Sequence, residues 1–337
     1  MKRITFVVPC YNSQDYMQRC IDSLLPCGDE GEIIIVDDGS TDKTGEIADT
    51  YAALYPALVK VIHKENGGHG SGVNAGLDAA AGRFFKVVDS DDWLDEKALS
   101  ELMDRLRKLK NLPDMVVCNY VYDHLYENRQ YSVSFRNIFP EGKICGWKAM
   151  GHFRSSQYLV MHALIFRTAL LKEIGLKLPE HTFYVDNLFA CRPLPRVKRI
   201  LYLDLDLYHY FLGRDDQSVN EDSYMRRIDE QIKVTKLVAA SMDLNEAKAV
   251  SPKLERYLLR NLSIMLSICN VYLLMINTKE ALHKRRKLWD YIRSRDKKLY
   301  RRLRFTTVSG ATCLPGWPGG VLTLTGYKIA KKFLGFA

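Results

Sequence analysis

An α/β domain with a mostly parallel sheet flanked by helices, followed by a helical C-terminal region, is the fold class that this 337-residue sequence predicts. Three observations predict it. Short apolar runs alternate with amphipathic stretches over the first hundred residues, each run ends in a polar cluster rich in Gly or Asp, and beyond Asp222 the apolar spacing is helical. The boundary is expected at residue 220, with an α/β unit over 1–220 and a helical unit over 221–337.

ITFVVP reads as the first strand, because its apolar run before Pro9 is too short for the core of a secretion signal. Met17, Cys20, Ile21 and Leu24 follow at helical spacing. EIIIVDD is the second strand, a polar helix covers 42–54, and LVKVIH is the third strand. The Ala-rich SGVNAGLDAAAG is a helix and RFFKVVD the fourth strand. Short connections between these runs fit parallel β-α-β units with helices on both faces. Ligands of such sheets bind beyond the carboxyl ends of the strands. The clusters PCYNS, DDGSTD, NGGHGSG and DSDD therefore share one rim.

A helix over 95–110 comes next, and DMVVCNYVYDH with LYENRQYSVSF reads as a hairpin or mixed-sheet edge. The less regular stretch 142–213 contains MHALIF, EHTFYVDNLF and RILYLDLDLYHYF. One long helix is predicted to about residue 242 and another from about 245 to 276, with CLPGWPGG at 313–320 as a late linker.

Composition excludes several classes. A hydrophobic share of 47% is enough for an ordinary core. Eight scattered cysteines with no C-x-x-C pair fit a reducing cytosol better than a disulfide framework. No run has the length of a membrane span; the nearest, 258–276, is interrupted by Arg260, Asn261 and Asn270, as suits a helix buried in protein. The net charge of +9 is local, since 279–304 holds 12 of the 49 basic residues and 3 of the 40 acidic ones.

In VVDSDDWLD, the carboxylates of Asp89, Asp91 and Asp92 crowd the end of a buried strand. Like charges so close persist when they are solvated, hydrogen-bonded or facing a cation. A calcium loop of EF-hand type needs an oxygen ligand and then glycine where Trp93 and Leu94 stand. A phosphatase with an aspartyl nucleophile wants Thr or Val in place of Trp93. Helix capping accounts for Asp92 or Asp95 and leaves Asp89 and Asp91 unexplained. NGGHGSGVNAG lacks G-x-G-x-x-G and G-K-[ST], which argues against a dinucleotide site or a P-loop. Its five glycines allow close approach of a ligand, and Ser71 is expected to cap the helix that follows.

VVPCYNS, IIIVDDGSTD, ENGGHGSGVNAGL and GRFFKVVDSDDW, in that order, resemble the family 2 glycosyltransferases of the GT-A (Rossmann-like) fold. The resemblance is strong over the first third of the chain and weaker over the next. It implies an inverting, metal-dependent hexosyl transfer from a nucleotide-sugar, here a UDP-sugar, to a saccharide or lipid-linked acceptor in cell-surface polysaccharide or glycolipid synthesis. Asp38 then reads the base, Pro9, Tyr11 and Asn12 frame base and ribose, and Gly70, Ser71, Asn74, Asp89 and Ser90 complete the donor site. Asp89 and Asp91, with His209 as third ligand, hold Mn²⁺ or Mg²⁺, which stabilises charge on the leaving diphosphate. The general base is Asp186 in FYVDN, with Glu180 as alternate and a helix N-cap as the competing role for Asp186. Family members often carry Arg before the asparagine matched by Asn74; Val73 stands here, and His69 or Lys86 is the substitute. Val185 likewise replaces the first acid of the usual Glu-Asp pair. His162 is open between acceptor contact and core. The rival reading is a non-catalytic sugar-nucleotide-binding scaffold at the membrane.

Leu288, Ile292, Leu299 and Leu303 form a narrow stripe on the basic segment, with Trp289, Tyr291 and Tyr300 nearby. An anionic membrane surface is the expected partner, giving a cytoplasmic protein peripheral at the inner face of the cell membrane. Nucleic acid is not expected, because no recognised module accompanies the charge.

Overall fold

The computed structural model describes residues 2–124, 129–155, 157–212, 221–314 and 316–334, with the backbone alone for 332–334. The chain divides into two compact units, Met1–Arg214 and Asp215–Ala337.

In the first unit, β1 (Ile4–Cys10), β2 (Gly31–Asp37), β3 (Val59–His63) and β4 (Phe84–Val87) run parallel in the order β3-β2-β1-β4. β1 and β2 are buried along their whole length, which is why they read as continuous apolar runs: helices cover both faces. The crossovers contain α1 (Met17–Leu24), α2 (Thr44–Leu54) and α3 (His69–Ala79). α3 lies directly on β1, and a Cβ at Gly76 would stand 2.3 Å from Val7 Cγ1. At Gly72 it would stand 3.0 Å from Pro9 Cβ, so the Pro9 ring, expected to frame a nucleoside, is packed beneath α3.

The same unit continues with β5 (Trp93–Leu94), α4 (Glu96–Lys108), β6 (Met115–His124), β7 (Arg129–Val133) and β8 (Ile144–Cys145). β9 (Leu164–Arg167), α5 (Thr168–Glu173), α6 (Asp186–Cys191) and β10 (Ile200–Leu212) complete it. β6 and β7 pair antiparallel, as the expected hairpin requires. β9 inserts antiparallel between β4 and β6, so the sheet is mixed beyond its parallel first half. Register shifts between Tyr202 and Tyr208 bend β10 and bring Tyr208 and His209 opposite Leu94 and Trp93.

Gly82 closes the turn into β4. Its N–H donates to Thr5 Oγ1 and its carbonyl accepts from Thr168 Oγ1. An added Cβ would lie 2.4 Å from the backbone nitrogen of Thr5, an atom held in the sheet. Gly82→Ala is therefore expected to cost about 3 kcal/mol, measured by urea unfolding, as overpacking against fixed backbone does.

The second unit contains α7 (Glu221–Arg226), α8 (Ile228–Ser241), α9 (Leu244–Val250), α10 (Pro252–Ile276), α11 (Lys279–Arg295), α12 (Lys297–Thr306), α13 (Val308–Ala311) and α14 (Gly316–Leu334). Both long helices expected before residue 276 are split. Arg227 leaves helical geometry at φ −106° and ψ 23°, and Pro252 forces Ser251 into an extended conformation. Ser251 Oγ then caps α10 by accepting from Lys253 N. α10 is long and apolar enough to cross a membrane, yet 67% of its apolar window is buried, which makes it the unit's core helix. Asn270 within it accepts from Trp289 Nε1 and donates to Thr312 Oγ1.

Two expectations for this unit need correction. Leu288, Trp289, Ile292, Leu299 and Leu303 are buried, so the stripe assigned to a membrane instead packs the unit's own core. CLPGWPGG is only partly a linker, because α14 begins at Gly316, whose φ of +71° suits the turn into the helix.

Candidate functional site

The polar clusters that follow β1 to β4 meet at one rim, as their positions in the sheet require. Asn12, at φ +47°, donates its N–H to Ser40 Oγ and accepts at Oδ1 from Thr41 N, joining the first cluster to the second. Ser13 and Ser90 hydroxyls lie 2.9 Å apart, joining the first to the fourth. Tyr11, beside Asn12, is 54% exposed and offers an aromatic ring on which a base can stack.

Asp38 is buried and already well occupied. Its carboxylate accepts from Gly67 N at 3.0 Å, Gly68 N at 2.6 Å and Lys64 Nζ at 2.6 Å. It thus shapes the glycine loop, and Lys64, which the sequence reading passed over, is the one side-chain donor among these. Asp37 accepts from Ser40 N and lies 2.9 Å from His63 Nδ1.

The glycine-rich stretch works differently from expectation. α3 starts at His69 behind Gly68 at φ +81°, so Ser71 sits in the first turn and does not cap the helix. Gly70 is needed because a Cβ there would stand 2.6 Å from the Pro179 carbonyl oxygen. Asn74 gives its amide to Leu178 O at 2.9 Å and accepts from Leu178 N at 2.8 Å. Gly70 and Asn74, predicted as donor contacts, therefore dock the 178–181 segment onto α3. His181 N adds a bond to Gly67 O, and the segment leads on to Asp186.

Around DSDD the structure brings together residues distant in sequence. Asp89 Oδ1 lies 2.8 Å from His69 Nε2, and Oδ2 lies 3.3 Å from His162 Nε2. Burial opposes the Asp89 charge, but His69 and His162 hold its carboxyl well below the usual carboxylate range. Burial likewise opposes the charge on His69, and Asp89 raises it above the ordinary imidazole range. Tyr208 stacks on His162 with ring centroids 4.6 Å apart and donates its hydroxyl to Asp92 Oδ2 at 2.5 Å. Asp92 Oδ1 accepts from Phe211 N, while Asp95 is the acid that caps α4 through Ala98 N. Burial, with Asp91 and Asp89 adding to it, pushes the Asp92 carboxyl well above its usual range.

Ligand atoms of Asp89, Asp92 and His162 all lie within 4.8 Å of one another. Two carboxylates and an imidazole suit Mn²⁺ or Mg²⁺, and each Asp92 oxygen keeps a lone pair beyond its hydrogen bond. The crowding that raises Asp92 is what a cation there would relieve. Of the expected Asp89, Asp91 and His209, this cluster contains Asp89, joined by Asp92 and His162. His209 stacks on Trp93 and places Nδ1 3.2 Å from Asp123 Oδ2. Lys86 is fully buried, donates to His162 O at 2.6 Å and is pushed down to about 8 by burial. Of the two substitutes for the missing Arg, His69 is the one at the carboxylates.

Val185 occupies the N-cap position and Asp186 is the first residue of α6, so Asp186 is not the N-cap; its Oδ1 accepts from Asn187 Nδ2 at 3.3 Å. It is approached through His181 and Tyr184, both at positive φ, a strained backbone that aims the segment. Burial raises its carboxyl above the usual range; Asp89 adds to this, and His162 and His69 work against it. Glu180, the alternate, is exposed. Residues 213–220 of the YHYFLGRDDQSVN stretch lie outside the described residues.

The family model described as Glycosyl transferase family 2 matches residues 5–168. A Bacillus subtilis (strain 168) protein named as a glycosyltransferase, EpsH, is 32% identical over 221 residues, 61% of this chain and 60% of its own length. The chain therefore spans about three-fifths of that relative. Staphylococcus aureus TarS 1-349 in complex with UDP-GlcNAc superposes with a TM-score of 0.62 at 20% identity, covering 97% of this chain and 92% of its own. The mannosyltransferase PcManGT from Pyrobaculum calidifontis, in complex with GDP-Man and Mn²⁺, gives 0.54 at 16% identity, covering 97% and 80%.

Proposed function

The chain belongs to the family 2 glycosyltransferases and has the GT-A fold, and from that premise we propose that it is an inverting transferase using a UDP-sugar and a divalent cation. The acceptor in this reading is a saccharide or lipid-linked saccharide. One observation carries the proposal: Asp89, Asp92 and His162 converge at the rim to which the 178–181 segment delivers Asp186. The UDP-GlcNAc complex of TarS supports the choice of donor, and the Mn²⁺ complex of PcManGT supports the cation.

The cation, when bound, neutralises charge developing on the leaving diphosphate. Tyr11 stacks on the base while Asp38 and Lys64 shape the loop beside it. His69 holds one oxygen of Asp89, which leaves the other directed toward His162, and Tyr208 fixes the His162 ring. Asp186 takes the acceptor hydroxyl's proton, a role that its raised pKa brings closer to neutral pH. Turnover of a panel of UDP-sugars with mixed saccharide acceptors, with Mn²⁺ and in excess chelator, tests the reading. Unchanged transfer in chelator would remove the cation, and donor binding without any transfer would favour the scaffold.

The ligand set is separately measurable. His162→Ala is expected to weaken Mn²⁺ binding by roughly tenfold or more, as loss of one of three protein ligands should. His209→Ala should leave it unchanged. Electron paramagnetic resonance titration of free Mn²⁺ reads both without turnover, and the opposite ranking would restore His209.

A further inference from the structure

α14 packs the wrong way round for a surface helix. Toward its own unit it turns small and polar groups. Gly319 and Thr323 are buried, and a Cβ at Gly320 would meet Leu274 at 3.6 Å. Tyr327 and Lys331 reach Glu221 Oε1 at 2.7 and 2.8 Å. Its larger apolar side chains face outward, with Trp317 82%, Val321 44%, Leu322 62% and Ile329 54% exposed. Val321, Leu322 and Ile329 follow Trp317 by 4, 5 and 12 residues, which at about 100° per residue keeps all four within about 140° of the circumference, so they form one broad stripe along a 19-residue helix about 28 Å long. A surface helix ordinarily buries its apolar stripe, and an exposed stripe of this kind marks a docking face.

Charge selects what docks there. From residue 297 to 337 the sequence contains eight Lys and Arg and no Asp or Glu, and Lys328 lies on the exposed side of α14 beside Ile329. Phe305 and Val308, in the same acid-free stretch, are 76% and 68% exposed. A second copy of this surface would bring like charges together, whereas an anionic bilayer offers headgroups to the lysines and acyl chains to the stripe.

We propose that the outer face of α14 is a membrane-docking surface that lies in the interface of an anionic bilayer, with Trp317 and Leu322 inserted and Lys328 at the headgroups. This surface differs from the stripe on α11 and α12, which is buried, and the proposal does not depend on the transferase reading. Trp93, Trp147 and Trp289 are buried, so quenching of tryptophan by brominated acyl chains reports Trp317.

The test is co-sedimentation and fluorescence with vesicles of brominated phosphatidylcholine, with and without phosphatidylserine. Wild-type protein is expected to bind the phosphatidylserine vesicles roughly tenfold better, with Trp317 quenched. The double variant Trp317→Ser with Leu322→Ser should lose that binding, and Lys328→Glu should weaken it. Both should keep the far-ultraviolet circular dichroism of the wild type, because the replaced groups are exposed. Binding that survives the double variant would overturn the proposal, as would anionic binding without quenching. So would a lipid-free dimer, seen by light scattering, that the double variant dissolves.

Discussion

Asp186→Asn should bind UDP as well as the wild type and transfer sugar about 10² to 10⁴-fold more slowly, the usual contribution of a general base. The substitution keeps the size of the side chain and an oxygen that can accept from Asn187 Nδ2, so folding and donor binding should stand. The wild-type rate carries a second signature. Burial and Asp89 raise the Asp186 carboxyl, so its basic form is lost as pH falls through a value above the ordinary carboxylate range. kcat/KM should therefore decline on the acid side at a higher pH than an exposed aspartate would give, and in Asp186→Asn the residual rate should lose that limb. Normal transfer by Asp186→Asn together with a defect in Glu180→Gln would move the base to Glu180.

Asp89→Ala should be the most damaging single change at the rim, lowering kcat/KM by about 10³-fold and abolishing measurable Mn²⁺ binding. It deletes one candidate ligand and also the common partner of His69 and His162. Without Asp89, His69 loses the carboxylate that favours its charged form against burial, so nucleotide affinity should fall as well, for a reason separate from the loss of the cation. Mn²⁺ titration and nucleotide titration of the same variant separate the two effects. Asp91→Ala, measured alongside, distinguishes the ligand sets: a loss of Mn²⁺ binding equal to that of Asp89→Ala would place Asp91 among the ligands.

The sequence by itself determined the parallel half of the sheet and the rim at its edge. Apolar runs such as EIIIVDD and RFFKVVD are buried on both sides, and each carries its polar cluster immediately after it, so local pattern places strand and site together. The motif order named the family for the same reason, since every motif sits within a few residues of a strand end. What only the tertiary structure decided depends on contacts that cross the chain. Asn74 is consumed by Leu178, 104 residues away, and no local signal distinguishes such a clamp from a ligand contact. His162 and His209 each sit among aromatic residues in apolar stretches, and the bend in β10 together with the Tyr208 stack puts His162 beside Asp89 and turns His209 to Asp123. In the helical unit, spacing showed an apolar stripe on α11 and α12 and the charge around it pointed to a membrane, whereas neighbouring helices cover it. α11 lies against α10 and α8, α12 lies against α11 and α13, and α14 turns Gly320 toward Leu274 of α10, which leaves Trp317 and Leu322 outside. Helical periodicity defines faces; which face is buried is set by how closely the backbones can approach, and glycines allow the closest approach.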